Sequence, residues 1–344
     1  MNESDSARFF VEAVPARVRV ARPACALVVD AEEDFDWDHP VQGTAYSTAH
    51  IQHIGVLHDI LDAYGAVPTY LVTYPVLEDP SAVRAIRREL ERGRCALGIQ
   101  LHPWVTPPFD DDRAHEASYS GNLDAGLEER KLLTLARRFE EVFGFRPVVY
   151  RAGRYGLGRR TGLLLEENGF RVDTSIAPRT DFSAEGGPDY STIDCAPFWF
   201  GTSRRLLEVP LCRSIIGWGG AAAPLLYRAL TGPRLAASRA VGILTRIRCA
   251  ERVTLSPEGN DVAAMQRLVR SLAARGQTVL PLSFHSSSLH PGQNPYVRSR
   301  ADLHAFYDRL SALMSFLADT MAVEFVTLDS IPDRFVPPGP AGAA

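Results

Sequence analysis

The chain has 344 residues, 46% hydrophobic and 23% charged, which suits one large domain or two smaller ones around a sizeable core. A formal net charge of -4, with no extended block of lysine and arginine, excludes the electrostatic footprint of a polynucleotide binder. Five scattered cysteines without a CxxC pair argue against a zinc ribbon or a disulfide framework, and no run approaches the roughly 20 apolar residues of a membrane span.

Residues 1–22 mix acidic and basic side chains with short apolar pieces. They read as an N-terminal extension without the apolar core of a secretory signal, so a cytoplasmic location is expected. A strand over 24–30 then breaks directly into Asp30-Ala31-Glu32-Glu33-Asp34-Phe35-Asp36, five carboxylates within seven residues. Such crowding needs a cation, a metal or solvent to offset its repulsion. Further strands are expected at 67–73, 96–101, 147–151, 206–210, 279–284 and 323–327, alternating with helices at 50–64, 80–92, 123–143, 159–168, 259–275 and 301–317. Several of these helices end at a glycine, as at Gly65, Gly144 and Gly276, where a left-handed residue closes the last turn.

The alternation predicts an α/β fold with a largely parallel sheet, and seven strands suggest a barrel occupying 23–335 as a single domain. Long irregular segments at 103–122 and 174–205 are expected to wall a cleft. The most apolar segment, 221–247, is interrupted by Arg228, Arg234, Arg239 and Arg246 and reads as amphipathic helices against the barrel or a partner. The Pro-, Gly- and Ala-rich tail at 336–344 is expected to be disordered.

Four strand ends carry polar groups: Asp30 with Glu32 and Asp34, Gln100 with His102, Arg151 with Arg154 and Tyr155, and Ser283 with His285. Parallel strands in a closed sheet would bring all four to one rim, a workable set for hydrolysis. His50, His53 and His58 lack a completing carboxylate constellation and read as a solvated helix face, and Pro257-Glu258-Gly259-Asn260 reads as a turn before a helix. No dinucleotide, phosphate-loop or nucleophile-elbow motif is present.

With these motifs in order, the chain resembles the polysaccharide deacetylase family, the NodB-homology, carbohydrate esterase 4-like hydrolases. The segments 29–37, 98–108, 150–156 and 283–286 look like its WalW-type branch. The resemblance implies a distorted (β/α) barrel of about seven strands. It also implies an amide hydrolase that removes an acyl group, most simply acetyl, from an amino sugar or glycan precursor. By position Asp30 would be the catalytic base, Arg151 its orienting partner and His285 the acid that protonates the leaving nitrogen. Gln100, Trp104, Arg154 and Tyr155 would line the substrate wall.

The family's metal aspartate has no direct counterpart, because Ala31 follows Asp30 and leaves Glu32, or Asp34, to supply that carboxylate. The family's two metal histidines fall on Gln100 and Trp104, so His102 is the remaining imidazole. Glu32 and His102 would then hold a divalent metal such as zinc with Gln100 or water assisting; the enzyme would work without metal; or catalysis would be lost. The second of these suggests a metal-independent, allantoinase-like amidohydrolase. The third suggests a silent glycan-binding protein using Trp37, Trp104, Tyr119, Trp199 and Trp218 as stacking platforms. Glu33 and Asp36 are expected to face solvent.

Overall fold

Runs of apolar residues buried along their whole length mark the strands, as a parallel sheet covered by helices requires. The computed structural model describes residues 13–34, 46–109, 115–219 and 249–338, together with 223, 227 and 230. Seven parallel strands, β1 (Ala24–Ala31), β2 (Thr69–Val72), β3 (Ala96–Leu101), β4 (Val149–Ala152), β5 (Val172–Asp173), β6 (Leu206–Glu208) and β7 (Val279–His285), lie in the order β7-β1-β2-β3-β4-β5-β6. The two-residue β5 is too short to leave a periodic signal in the sequence. The expected strand at 323–327 is Glu324–Val326, which pairs with Ala24–Ala26, below the stretch Val28–Ala31 that β2 joins.

The sheet is strongly curled. In a flat sheet β1 and β4, three strand spacings apart, would stand about 14 Å from each other. Yet Arg151 on β4 hydrogen-bonds Asp30 on β1 and Ser283 on β7. Alternation sorts the side chains accordingly. Ala26, Val28, Val149, Leu207 and Val279 pack inside the curl, over Leu328, Ile331 and Phe335 beneath the strands' N-terminal ends. Leu27, Val29, Tyr70, Val72 and Ile99 face outward into the core shared with the helices. Among the described residues the strands are not laddered into a full ring. Single main-chain bonds span the gap from β6 to β7, from Leu255 N to Cys212 O (2.7 Å) and from Ser283 N to Leu255 O (3.2 Å).

The helices Pro80–Glu91, Ala125–Phe143, Val262–Ala274 and Arg300–Ser315 each start at a side-chain cap, from Asp79, Asp124, Asp261 and Ser299 respectively. Residues 174–205, expected to be irregular, contain a strand, Phe198–Phe200, that runs antiparallel to β6 and carries Val14–Pro15 on its outer side. Phe335–Val336 pairs with Arg17–Val18, so part of the extension and the start of the tail join the fold. The amphipathic segment at 221–247, apart from residues 223, 227 and 230, lies outside the described residues, as do residues 339–344. All five cysteines are buried free thiols. No helix among the described residues is long and apolar enough to cross a membrane.

Candidate active site

Asp30, Gln100, Arg151 and His285 occupy the inward parity of their strands at the C-terminal rim, one layer above Val28, Gly98, Val149 and Ser283. His285 is the register partner of Asp30 across the β7–β1 ladder, and its Nε2 stands 3.7 Å from Asp30 Oδ2. Arg151 is fully buried. It donates to Asp30 Oδ1, to Ser283 Oγ (3.2 Å) and to the Thr174 carbonyl and hydroxyl (3.0 and 3.2 Å), so its guanidinium is fixed from both sides. Gly153, just beyond β4, allows this rim to close on β3: a Cβ there would meet His102 Cδ2 at 2.5 Å.

His285 is gripped by a residue whose part was not visible in the sequence. Glu258, read there only as part of a turn, is buried. It accepts the His285 main-chain N–H (3.0 Å), His285 Nδ1–H (2.8 Å) and the Ser288 hydroxyl. Burial alone would disfavour the imidazolium. The Glu258 carboxylate, then Glu32 and Asp30, outweigh it and raise the His285 pKa to about 10.

A second group lies across the cavity. Glu32 is buried, its pKa pushed up to about 8 by desolvation, which the positive charges of His285 and His102 only partly offset. Its main-chain N–H points to Ser286 Oγ (3.4 Å), whose hydroxyl also meets His50 Nε2 (2.9 Å). Gln100 Nε2 lies 3.2 Å from Glu32 Oε2 and 3.0 Å from His102 Nε2. His102 Nδ1 meets Glu33 Oε1 at 2.7 Å, and Thr73 donates to the other Glu33 oxygen at 2.8 Å. Burial lowers the His102 pKa, but the charge and hydrogen bond of Glu33, with Glu32 and Asp30, raise it overall.

Several expectations change here. Glu33 does not face solvent: beyond the end of β1 its side chain turns inward between β2 and β3 and is completely buried. Asp36 and Trp37 lie outside the described residues. Asp34 turns away to the Ser47 main chain, leaving Glu32 as the carboxylate at this position. His50 and His58 are not a solvated face. Their helical segment packs onto the rim, and burial lowers both pKa values to about 4. Among the described residues no group of three or more His, Cys, Asp or Glu side chains is arranged to hold a metal ion.

Asp30, Glu32, Gln100, His102 and His285 line one side of a cavity of about 170 Å³, and Tyr119, Ala152, Arg154, Tyr155 and Phe182 line the other. Tyr119 comes from the 103–122 segment and Phe182 from 174–205, so both long excursions contribute walls. Arg154 and Tyr155 hold successive positive φ angles of 52° and 58°, a costly arrangement for side chains other than glycine. Arg154 donates to Ser118 (2.6 Å) and to Glu185, and its guanidinium lies 4.3 Å over the Tyr119 ring. Trp104 is not a lining residue; it stacks on His102 with centroids 4.2 Å apart. Trp199 is buried, and Trp218, which is exposed, borders a different groove. The four of these aromatic platforms that are described, Trp104, Tyr119, Trp199 and Trp218, therefore do not form one surface.

No protein-family model matches the sequence, and no curated protein matches it. The fold is that of several solved structures. One, assigned as a polysaccharide deacetylase from Mycobacterium smegmatis, is 18% identical, with 97% of this chain and 100% of that one covered and a TM-score of 0.53. Another with the same assignment, from Pseudomonas aeruginosa PAO1, is 15% identical over 92% and 91% of the two chains, with a TM-score of 0.50. A third, assigned as a glycoside hydrolase/deacetylase from Parabacteroides distasonis, is 11% identical over 92% and 71%, with a TM-score of 0.56.

Proposed function

We propose that the chain is a hydrolase of non-peptide C–N bonds, removing an acyl group from an acetylated amino sugar, a glycan precursor or a similar small amide. The observation that carries this reading is the pairing of Asp30 with His285 at the cavity, 3.7 Å apart, each held from behind by its own partner, Arg151 or Glu258. A base and an acid so placed divide the reaction between them. Asp30 takes a proton from water as its oxygen attacks the acyl carbon. His285, kept protonated, gives its proton to the nitrogen as the C–N bond breaks, leaving a carboxylic acid and an amine. The proton that Asp30 took from water then passes to His285, directly or through solvent, and this restores the ionised aspartate and the protonated histidine. Gln100, Arg154 and Tyr155, as lining residues, would hold the rest of the substrate.

The family resemblance implies a divalent metal at Glu32 and His102. These are two protein donors where a zinc site needs three, and the third corner is the neutral carboxamide of Gln100. This donor set does not fit a resident zinc ion, and no step above passes through one. The test is acid release from N-acetylated amino sugars by the wild-type chain and by Asp30→Asn, which keeps the side chain's shape. The variant is expected to lose about 10²- to 10⁴-fold in rate.

A further inference from the structure

We propose that the Gln100 carboxamide takes the place of a bound cation in this chain, tying Glu32 to His102 by hydrogen bonds. Glu32 Oε2, His102 Nε2 and Gln100 Nε2 form a triangle with edges of 3.4, 3.2 and 3.0 Å. Three donors around one tetrahedral zinc at about 2.0–2.1 Å would stand about 3.3 Å apart, so the triangle has the dimensions of a metal site. Its third corner is an amide, a poor partner for zinc but a good one for the two groups beside it.

With Glu33 accepting the Nδ1 proton of His102, the Nε2 lone pair faces Gln100. The two amide N–H bonds then go to Glu32 and His102, and Gln100 Oε1 is left without a hydrogen-bond partner among the described residues. The link also survives protonation: with both Glu32 and His102 carrying protons, the amide turns over and its oxygen accepts from both. The neutral amide thus joins a buried carboxylate to a buried imidazole in the first state, and a buried carboxylic acid to an imidazolium in the second, without adding a charge of its own. Stacked against the His102 ring, Trp104 fixes its plane.

This inference concerns the site of the proposed hydrolase, but metal content is read without substrate, so either claim can fail alone. The experiment is elemental analysis of protein purified without chelator, with zinc titration followed by thermal melting, on the wild type and on Gln100→His. The wild type is expected to carry no equimolar divalent metal and to melt at the same temperature with and without zinc. Gln100→His adds an imidazole at the third corner and is expected to take up about one zinc per chain and melt higher with it. An equimolar metal in the wild type, removed only by chelation, overturns the proposal. So does a folded Gln100→His variant that ignores zinc. Should that variant fail to fold, the metal content of the wild type decides alone.

Discussion

At the scale of single residues, the most informative side chain is Glu258. It lies 27 positions before His285 in sequence and contacts it through both main-chain and side-chain hydrogen bonds. Glu258→Gln keeps the shape of that contact and removes its charge. The largest influence favouring the imidazolium is thereby lost, and the His285 pKa should fall from about 10 towards the ordinary histidine value of about 6.5. The alkaline limb of the pH profile of kcat/KM should move down with it. A uniform drop in rate with the limb in place would show that Glu258 only supports the fold. That Asp30, Arg151 and His285 meet at one rim was legible in the sequence because each sits at or next to a strand end, where a charged group is conspicuous. Glu258 was not, because a glutamate in a turn gives no sign of what the fold brings against it. Glu33 was misjudged for the opposite reason: a run of acids reads as solvated until Thr73 and His102 are found around one of them.

At the scale of elements, the segment following β3 depends on a lysine one helix away. Lys131, buried on the helix Ala125–Phe143, donates to the carbonyls of Pro103 (2.9 Å), Thr106 and Pro108 (2.7 Å). One ammonium thereby fixes the chain that leads out of His102 and carries Trp104. Lys131→Met keeps much of the side chain's length and loses all three bonds. It should destabilise the protein by about 1.5–3 kcal/mol, the range for a hydrogen bond to a charged group, and speed amide exchange in 103–109 more than in β1. Equal exchange in both places would mean that the lysine is not a local anchor. The strands themselves were legible from length and apolar content, and their inward and outward faces follow from alternation. The curl of the sheet was expected from the number of parallel strands; the gap between β6 and β7, spanned by single main-chain bonds through Leu255, was not, since such bonds leave no local sequence signal.

At the scale of the whole molecule, buried titratable groups set a window of stability. His50 and His58 have pKa values lowered to about 4 from 6.5, so their contribution is present above about 6.5 and is lost as pH falls through 4. Glu32 and His285 have values raised to about 8 and about 10, so theirs is present at low pH and is lost as pH rises through those values. Thermal melting should therefore decline as pH rises from about 6.5 to 10, where Glu32 and His285 give up their protons and the two histidines no longer offset the loss, with a flat profile over that range refuting this assignment. The central claim, that Asp30 activates water to cleave an amide at this cavity, is tested most directly by product analysis with N-acetylated amino sugars. Equal amounts of acetate and free amine are expected from the wild type, with a loss of about 10²- to 10⁴-fold in Asp30→Asn. Undiminished release by Asp30→Asn would contradict it.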